Sequence, residues 1–252
     1  VEHNFFDRYA FLDSPVHRLD PRVKLILTFF FVILVVSTSP VRLLAFLIDA
    51  GLLLWIIAFA RLPLRWILLR ALAVLPFSAL VALWLPFLGP APDVSLLGGR
   101  LTLSVPGLWI FTSVTLKALL GAIAVLILVS TTPMSLLLSA LDRLGVPVIL
   151  IDLLALTYRY IFVLTGQVMS LRRAAAARGY RPRWIGQALL VGRLIGNLFV
   201  RSYARAERLY AAMVLRGYDG HMPIARPLVL RSADFVVLLL LVPALLVVRI
   251  IC

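Results

Sequence analysis

Only one cysteine, Cys252, stands in this chain of 252 residues, and 11 acidic residues face 25 basic ones. A single cysteine excludes a disulfide framework or a cysteine metal site within one chain. The acids are too dispersed to form the carboxylate or histidine cluster that a membrane-embedded enzyme acting on lipid-linked substrate needs near one interface. No Gly-x-x-x-x-Gly-Lys-Ser/Thr loop is present to cradle nucleotide phosphates, and neither His-Glu-x-x-His nor Gly-x-Ser-x-Gly occurs. The chain is therefore not expected to hydrolyse ATP, and no catalytic residue is assigned. No internal repeat marks the midplane site of a self-contained secondary transporter. Residues 1–21 are polar and mixed in charge, without the short apolar core and small-residue cleavage site of a secretory signal, so the first apolar run is expected to stay as a membrane helix. The chain opens on Val1 rather than Met, which leaves room for residues ahead of it.

What is abundant is apolar surface. Hydrophobic residues make up 63% and charged ones 14%, far more apolar than a soluble core of this size requires, so lipid must be part of the solvent. Four stretches, at 23–38, 41–60, 66–88 and 107–130, approach or reach the ~20 residues that cross a ~30 Å hydrocarbon core. Pro76 is expected to kink the third, and 89–106, rich in Gly, Pro and Ser, reads as an external loop. A last span surrounds Phe235–Val248.

The formal charge of +14 orients these spans. Arg18, Arg22 and Lys24 precede the first, Arg61, Arg65 and Arg70 separate the second from the third, and the opposite side carries Arg42 and Arg100, so the N-terminus is expected in the cytoplasm. Residues 131–231 hold 14 arginines and no lysine against four acids, which places them on the same side. The fold class expected is all-α: a polytopic membrane protein of about five transmembrane helices with a cytoplasmic region of amphipathic helices. Its parts are a cytoplasmic segment 1–22, a four-span domain 23–130, the cytoplasmic helical region 131–231 and a last span 232–252. The charge is interleaved with apolar helix rather than spread on a soluble basic face, so nucleic acid is not expected as a partner.

Within 131–231, Thr132-Pro133 starts and Gly145 stops a short amphipathic helix with Met134, Leu137, Leu138, Leu141 and Leu144 on one face. Long helices follow from Pro147 to Gly179 and from Pro182 to Gly217. Both end in Arg-Gly-Tyr: Arg178-Gly179-Tyr180 and Arg216-Gly217-Tyr218, 38 residues apart. A glycine just past the last turn takes the left-handed conformation that closes a helix, and an arginine beside it suits the negative end of the dipole. One such ending needs no function. Two in succession offer a pair of guanidinium forks, each able to bind a partner's carboxylate through parallel hydrogen bonds.

The chain resembles the transmembrane coupling subunit of energy-coupling factor transporters, of the cobalt-transport CbiQ type. Ser14-Pro15-Val16-His17-Arg18-Leu19-Asp20-Pro21-Arg22-Val23-Lys24-Leu25 looks like the family's N-terminal signature, and Ala177-Arg178-Gly179 matches its first Ala-Arg-Gly motif. Leu215-Arg216-Gly217 keeps the Arg and Gly of the second and departs at its first position, a change expected to bear on helix packing more than on ion pairing. Leu156-Thr157-Tyr158-Arg159-Tyr160-Ile161-Phe162 looks like the cobalt branch. The resemblance spans essentially the whole chain. It implies a link between two ATP-hydrolysing subunits, which bind ATP and Mg, and a small membrane subunit that captures the substrate, most simply cobalt ion; nickel or a vitamin is the alternative cargo. It also implies location in the cell (inner or plasma) membrane, with Arg178 and Arg216 as the two ATPase contacts.

Other residues carry expectations with open alternatives. Arg201, Arg205 and Arg208 either extend the docking surface or lie against anionic headgroups. The N-terminal signature either binds a partner or is an interfacial lead-in in which Arg22 and Lys24 anchor the first span. Asp49 and Lys117 lie about eight and nine residues from the external ends, roughly 12 and 14 Å deep, and are expected either to pair or to face separate polar groups. His3, His17 and His221 are scattered, so surface or packing roles are expected and no metal site is assigned to this chain.

Overall fold

The computed structural model describes residues 9–10, 12–40, 42–82, 94–96, 101–179, 188–220 and 232–251. Its helices are α1 (Pro15–Arg18), α2 (Pro21–Ser37), α3 (Leu43–Phe59), α4 (Leu64–Leu72), α5 (Leu75–Ala82), α6 (Val105–Thr131), α7 (Met134–Arg143), α8 (Val148–Ala177), α9 (Ala188–Leu215) and α10 (Ser232–Ile251). The chain divides into two compact units, residues 2–140 with 227–252, and residues 141–226.

The first unit is built around α6, which packs against α2, α3, α4 and α5, while α10 returns to α2 and α3. Phe31, Phe46, Ile57, Ile67, Leu120 and Ile123 form part of its core. The outer faces are also apolar: Phe29, Leu44, Phe77 and Leu239 are each 66–75% exposed. Backbone satisfied within helices and apolar residues turned outward suit a hydrocarbon solvent. Both α6 and α8 are long and apolar enough to cross a membrane.

Polar caps fix where these helices begin. Ser14 accepts the His17 N–H and Asp20 the Arg22 N–H, each followed by proline at the first helical position. Ser104 accepts from the Gly107 N–H in the same manner at α6. The N-terminal signature is thus two consecutive cap-and-proline pairs.

Two local expectations change. The third stretch is two helices rather than one kinked helix. The chain tightens at Ala73 and Val74, whose N–H groups bond to Arg70 and Ala71, and Pro76, with no N–H to offer Leu72, lies in the first turn of α5. In the stretch expected to be an external loop, Val94–Leu96 and Leu101–Leu103 pair as an antiparallel hairpin, Val94 opposite Leu103. This is the non-helical element among the described residues. Its sequence signal is Gly98-Gly99 between two short runs with β-branched members.

Four helices end alike. After α7, Gly145 donates to Asp142 and Val146 to Leu141; after α9, Gly217 donates to Val214 and Tyr218 to Met213; after α8, Gly179 donates to Ala176. These are the bonds of the Schellman motif, and the glycines have φ of 89°, 82° and 80°. A Cβ would meet nothing within 4 Å at any of the three, so the backbone conformation, not space, selects glycine. The end of α3 has the same pair of bonds, Arg61 to Ala58 and Leu62 to Ile57, but here an arginine holds the left-handed position at φ 54°. That substitution costs about 1 kcal/mol or more.

Candidate functional site

The arginine-tipped endings lie in the unit of residues 141–226. Arg178 is the C-cap of α8, with its N–H bonded to Ala175, and Arg216 follows α9 with its N–H bonded to Met213. Both side chains are exposed, as are Ala177 and Leu215. The caps are closed by backbone alone, so neither guanidinium is needed to hold its helix end, and each is available to a partner. Leu215 is 88% exposed. At that exposure its departure from alanine alters the surface presented beside Arg216 rather than a packed contact within this chain.

The next residue, Tyr218, fixes the second tip. Its phenol donates to the buried Asp152 Oδ2 at 2.9 Å, tying the end of α9 to the start of α8. That bond, with its carboxylate acceptor, pushes the Tyr218 pKa up from its ordinary 10.0, so the phenol keeps its proton at physiological pH. Because α9 ends beside the first turns of α8, the two helices run antiparallel and the arginines lie at opposite ends. Asp152 to Arg178 is 26 helical residues, roughly 39 Å at ~1.5 Å per residue. Sequence spacing alone did not reveal this tie, since residues 66 apart meet. Replacing Tyr218 with phenylalanine is expected to speed amide exchange over 213–218 while leaving mid-α9 unchanged; equal exchange in both proteins would remove Tyr218 from the tip's support. Tyr180, the counterpart at the first tip, lies outside the described residues, as do His3 and His221.

The auxiliary arginines occupy α9 without converging. Arg201 is exposed and its Nε donates to Asn197 Oδ1 at 3.0 Å, Arg205 is half-buried and Arg208 exposed.

Lys117 and Asp49 do not pair. The Lys117 ammonium donates to the Val36 carbonyl at 2.8 Å, in the last turn of α2, where carbonyls lack helical partners and the dipole favours a cation. Asp49 is buried in α3.

Lys24 is also no interfacial anchor. It is 7% exposed and its Nζ donates to the Thr131 carbonyl at 3.1 Å, to the His17 carbonyl at 3.3 Å and to Thr132 Oγ1 at 3.4 Å. Asp234, at the start of α10, accepts the Asp20 N–H at 2.9 Å, and the Asp234 and Asp20 carboxylates attract the ammonium. The N-terminal signature is thereby a junction of α2, the end of α6 and the start of α10.

His17 completes the junction. Its Nε2 meets the Tyr9 carbonyl at 3.0 Å and its Nδ1 meets Ser14 Oγ at 2.7 Å. A carbonyl only accepts, so Nε2 carries the proton and Nδ1 accepts from Ser14. Burial lowers the His17 pKa below 6.5, the nearby Lys24 charge adds to this, and the Tyr9 carbonyl opposes it. The neutral ring is the folded form. The unfolded chain then binds more protons, so stability is full above about 6.5 and is lost as pH falls through the lower folded value. Thermal unfolding in detergent between pH 7.5 and 5 is expected to show that decline, reduced in His17→Gln; an identical slope in the variant would count against it. Both ring nitrogens are engaged, and among the described residues no group of three metal-ligating side chains gathers.

A family model described as cobalt transport protein, CbiQ, matches residues 13–225. The chain belongs to this family. It is 32% identical over 199 residues to the cobalt transport protein CbiQ of Rhodobacter capsulatus, covering 74% of this chain and 76% of that one. It is 29% identical over 232 residues to the energy-coupling factor transporter transmembrane protein EcfT of Staphylococcus aureus, covering 85% and 84%. A shorter match, 40% over 98 residues, joins it to the nickel permease LarQ of Lactiplantibacillus plantarum, covering 36% and 33%. As a CbiQ/EcfT family member the chain is the transmembrane component of an energy-coupling factor transporter, a membrane protein and a non-catalytic subunit.

Proposed function

We propose that this chain couples two ATP-hydrolysing subunits to a substrate-capture membrane subunit for uptake of cobalt ion. The observation that carries the reading is the pair of exposed arginines on like-capped helix ends, Arg178 at the end of α8 and Arg216 beside its start. Asp152, at that start, lies roughly 39 Å along the helix from Arg178. One carboxylate groove does not reach both, whereas two ATPase subunits each receive one. Arg178, with Ala177 and Gly179, docks on the first, and Arg216, with Leu215 and Gly217, on the second. Arg201, Arg205 and Arg208 add positive surface along α9. ATP and Mg belong to the ATPases.

In this reading α2, α3, α4 with α5, α6 and α10 are the membrane spans, the N-terminus is cytoplasmic, and residues 131–231 form the cytoplasmic coupling region, α8 included although its length and apolar content would also suit a span. The capture subunit rests on the amphipathic α7 and the apolar faces of the long helices, where sliding contacts permit motion during the ATP cycle. Cobalt is favoured by the family's description and by the relative from Rhodobacter capsulatus; nickel is the second reading, favoured by the match to the nickel permease. Uptake of labelled cobalt and nickel by cells carrying the whole complex tests the cargo. Cobalt accumulation that depends on this chain is the expected result, and nickel accumulation without cobalt would select the alternative.

A further inference from the structure

In the unit built around α6, an apolar crevice of about 430 Å³ opens between α2, α3, α6 and α10, with Leu19, Phe31, Leu53, Phe59, Ile127 and Leu241 among its walls. A second depression continues from it, sharing Pro15 and Leu19, and is lined by Arg18, Arg61, Asp13 and Asp234. We propose that this pair of hollows binds one membrane glycerophospholipid, an acyl chain in the crevice and the phosphate between Arg18 and Arg61.

Three observations carry the proposal. The crevice lies within the ~300–1,000 Å³ range of ligand sites, and its walls are almost wholly apolar. Such a lining suits a hydrocarbon chain. The site's polar end holds two arginines and two carboxylates: the Arg18 guanidinium is largely exposed and held only by a 3.9 Å contact to the exposed Asp13, a weak pair that a phosphate can displace. Asp234 is already engaged by the Asp20 N–H.

The third observation is Arg61 itself. Three other helix ends with the same cap use glycine at the left-handed position, while α3 keeps an arginine there. Its guanidinium makes no hydrogen bond or ion pair to another described residue. Backbone strain retained at a residue whose side chain supports nothing in the fold points to an external ligand.

The inference rests on the membrane placement of α2, α3, α6 and α10, but not on ATPase docking. Native mass spectrometry of the purified transporter complex, equilibrated in separate arms with phosphatidylethanolamine and phosphatidylglycerol, provides the test. One phospholipid per chain is expected to survive delipidation in at least one arm, and the arm identifies the headgroup. Arg61→Gly should lower its retention roughly tenfold, as for loss of one charge-assisted contact. The same change should leave the melting temperature in lipid-free detergent unchanged or raised, because glycine is at ease at φ 54°, and should leave both ATPases bound. Leu241→Trp, which fills the crevice, should also release the lipid, and Arg61→Gln gives a second variant at the headgroup end. Retention unaffected by Arg61→Gly and Arg61→Gln, or no phospholipid retained in either arm by the unaltered complex, would overturn the proposal.

Discussion

Reversing the charge at both helix tips, Arg178→Glu with Arg216→Glu, is expected to leave the chain folded in the membrane and strip it of its ATPase subunits. Both side chains are exposed, and the caps that close α8 and α9 are made by backbone groups and glycines. The local cost is the unfavourable meeting of a carboxylate with a helix C-terminus, about 0.3–1 kcal/mol. Against a partner carboxylate, each reversal replaces a charge-assisted bond with repulsion, worth about 2–5 kcal/mol or more. Each single variant should weaken retention of ATPase by at least ~30-fold, the equivalent of 2 kcal/mol, and the double variant should abolish metal uptake. Arg178→Lys keeps charge but loses the planar fork, so partial retention is expected there. The two sites need not contribute equally, since Ala177 and the exposed Leu215 present different surfaces beside their arginines. Affinity purification with quantification of bound ATPase makes the measurement, and a double variant that keeps both subunits would contradict the assignment.

Lys24→Met is expected to produce the largest loss of stability. The Lys24 ammonium is buried, serves three oxygen acceptors and lies by the Asp234 and Asp20 carboxylates. Methionine has similar length but leaves the Thr131 carbonyl at the end of α6 without that donor, and leaves Asp234, 1% exposed, without its neighbouring cation. Breaking such a buried arrangement from one side costs about 3–5 kcal/mol. The melting temperature in detergent should fall accordingly. Adding Asp234→Asn to Lys24→Met should recover part of the loss, because the second change removes the charge that the first left uncompensated. Additive losses in this cycle would show that Lys24 and Asp234 act independently.

The features legible in the sequence were those with a local cause. Hydrophobic periodicity and Pro133 with Gly145 delimit α7, and the Arg-Gly pairs at 178–179 and 216–217 end α8 and α9 where the left-handed glycine requires. What stayed hidden depends on partners far along the chain. Lys24 reads as an interfacial anchor until Thr131, 107 residues away, is found accepting its proton. Asp234, to which the sequence assigned no role, receives the Asp20 N–H across 214 residues. Tyr218 reads as the end of a repeated motif until Asp152 accepts its phenol.

Two other positions needed the structure for a different reason. Depth allowed Asp49 and Lys117 either to pair or to face separate polar groups, but depth carries no azimuth, and Lys117 turns to the Val36 carbonyl of α2. Arg61 counts toward the basic charge expected of a cytoplasmic loop, but composition says nothing of its backbone, where the left-handed conformation sets it apart from Arg65 and Arg70.

The central claim is that the two arginine tips engage two separate ATPase subunits, and site-directed crosslinking within the assembled complex tests it most directly. With Cys252 replaced by serine, Arg178→Cys and Arg216→Cys can each be paired with single cysteines introduced along the ATPase groove. Each single tip should capture one ATPase subunit, and the chain carrying both should run as one species bearing two. A doubly substituted chain that never captures more than one ATPase, or tips that crosslink to the same copy, would contradict the account.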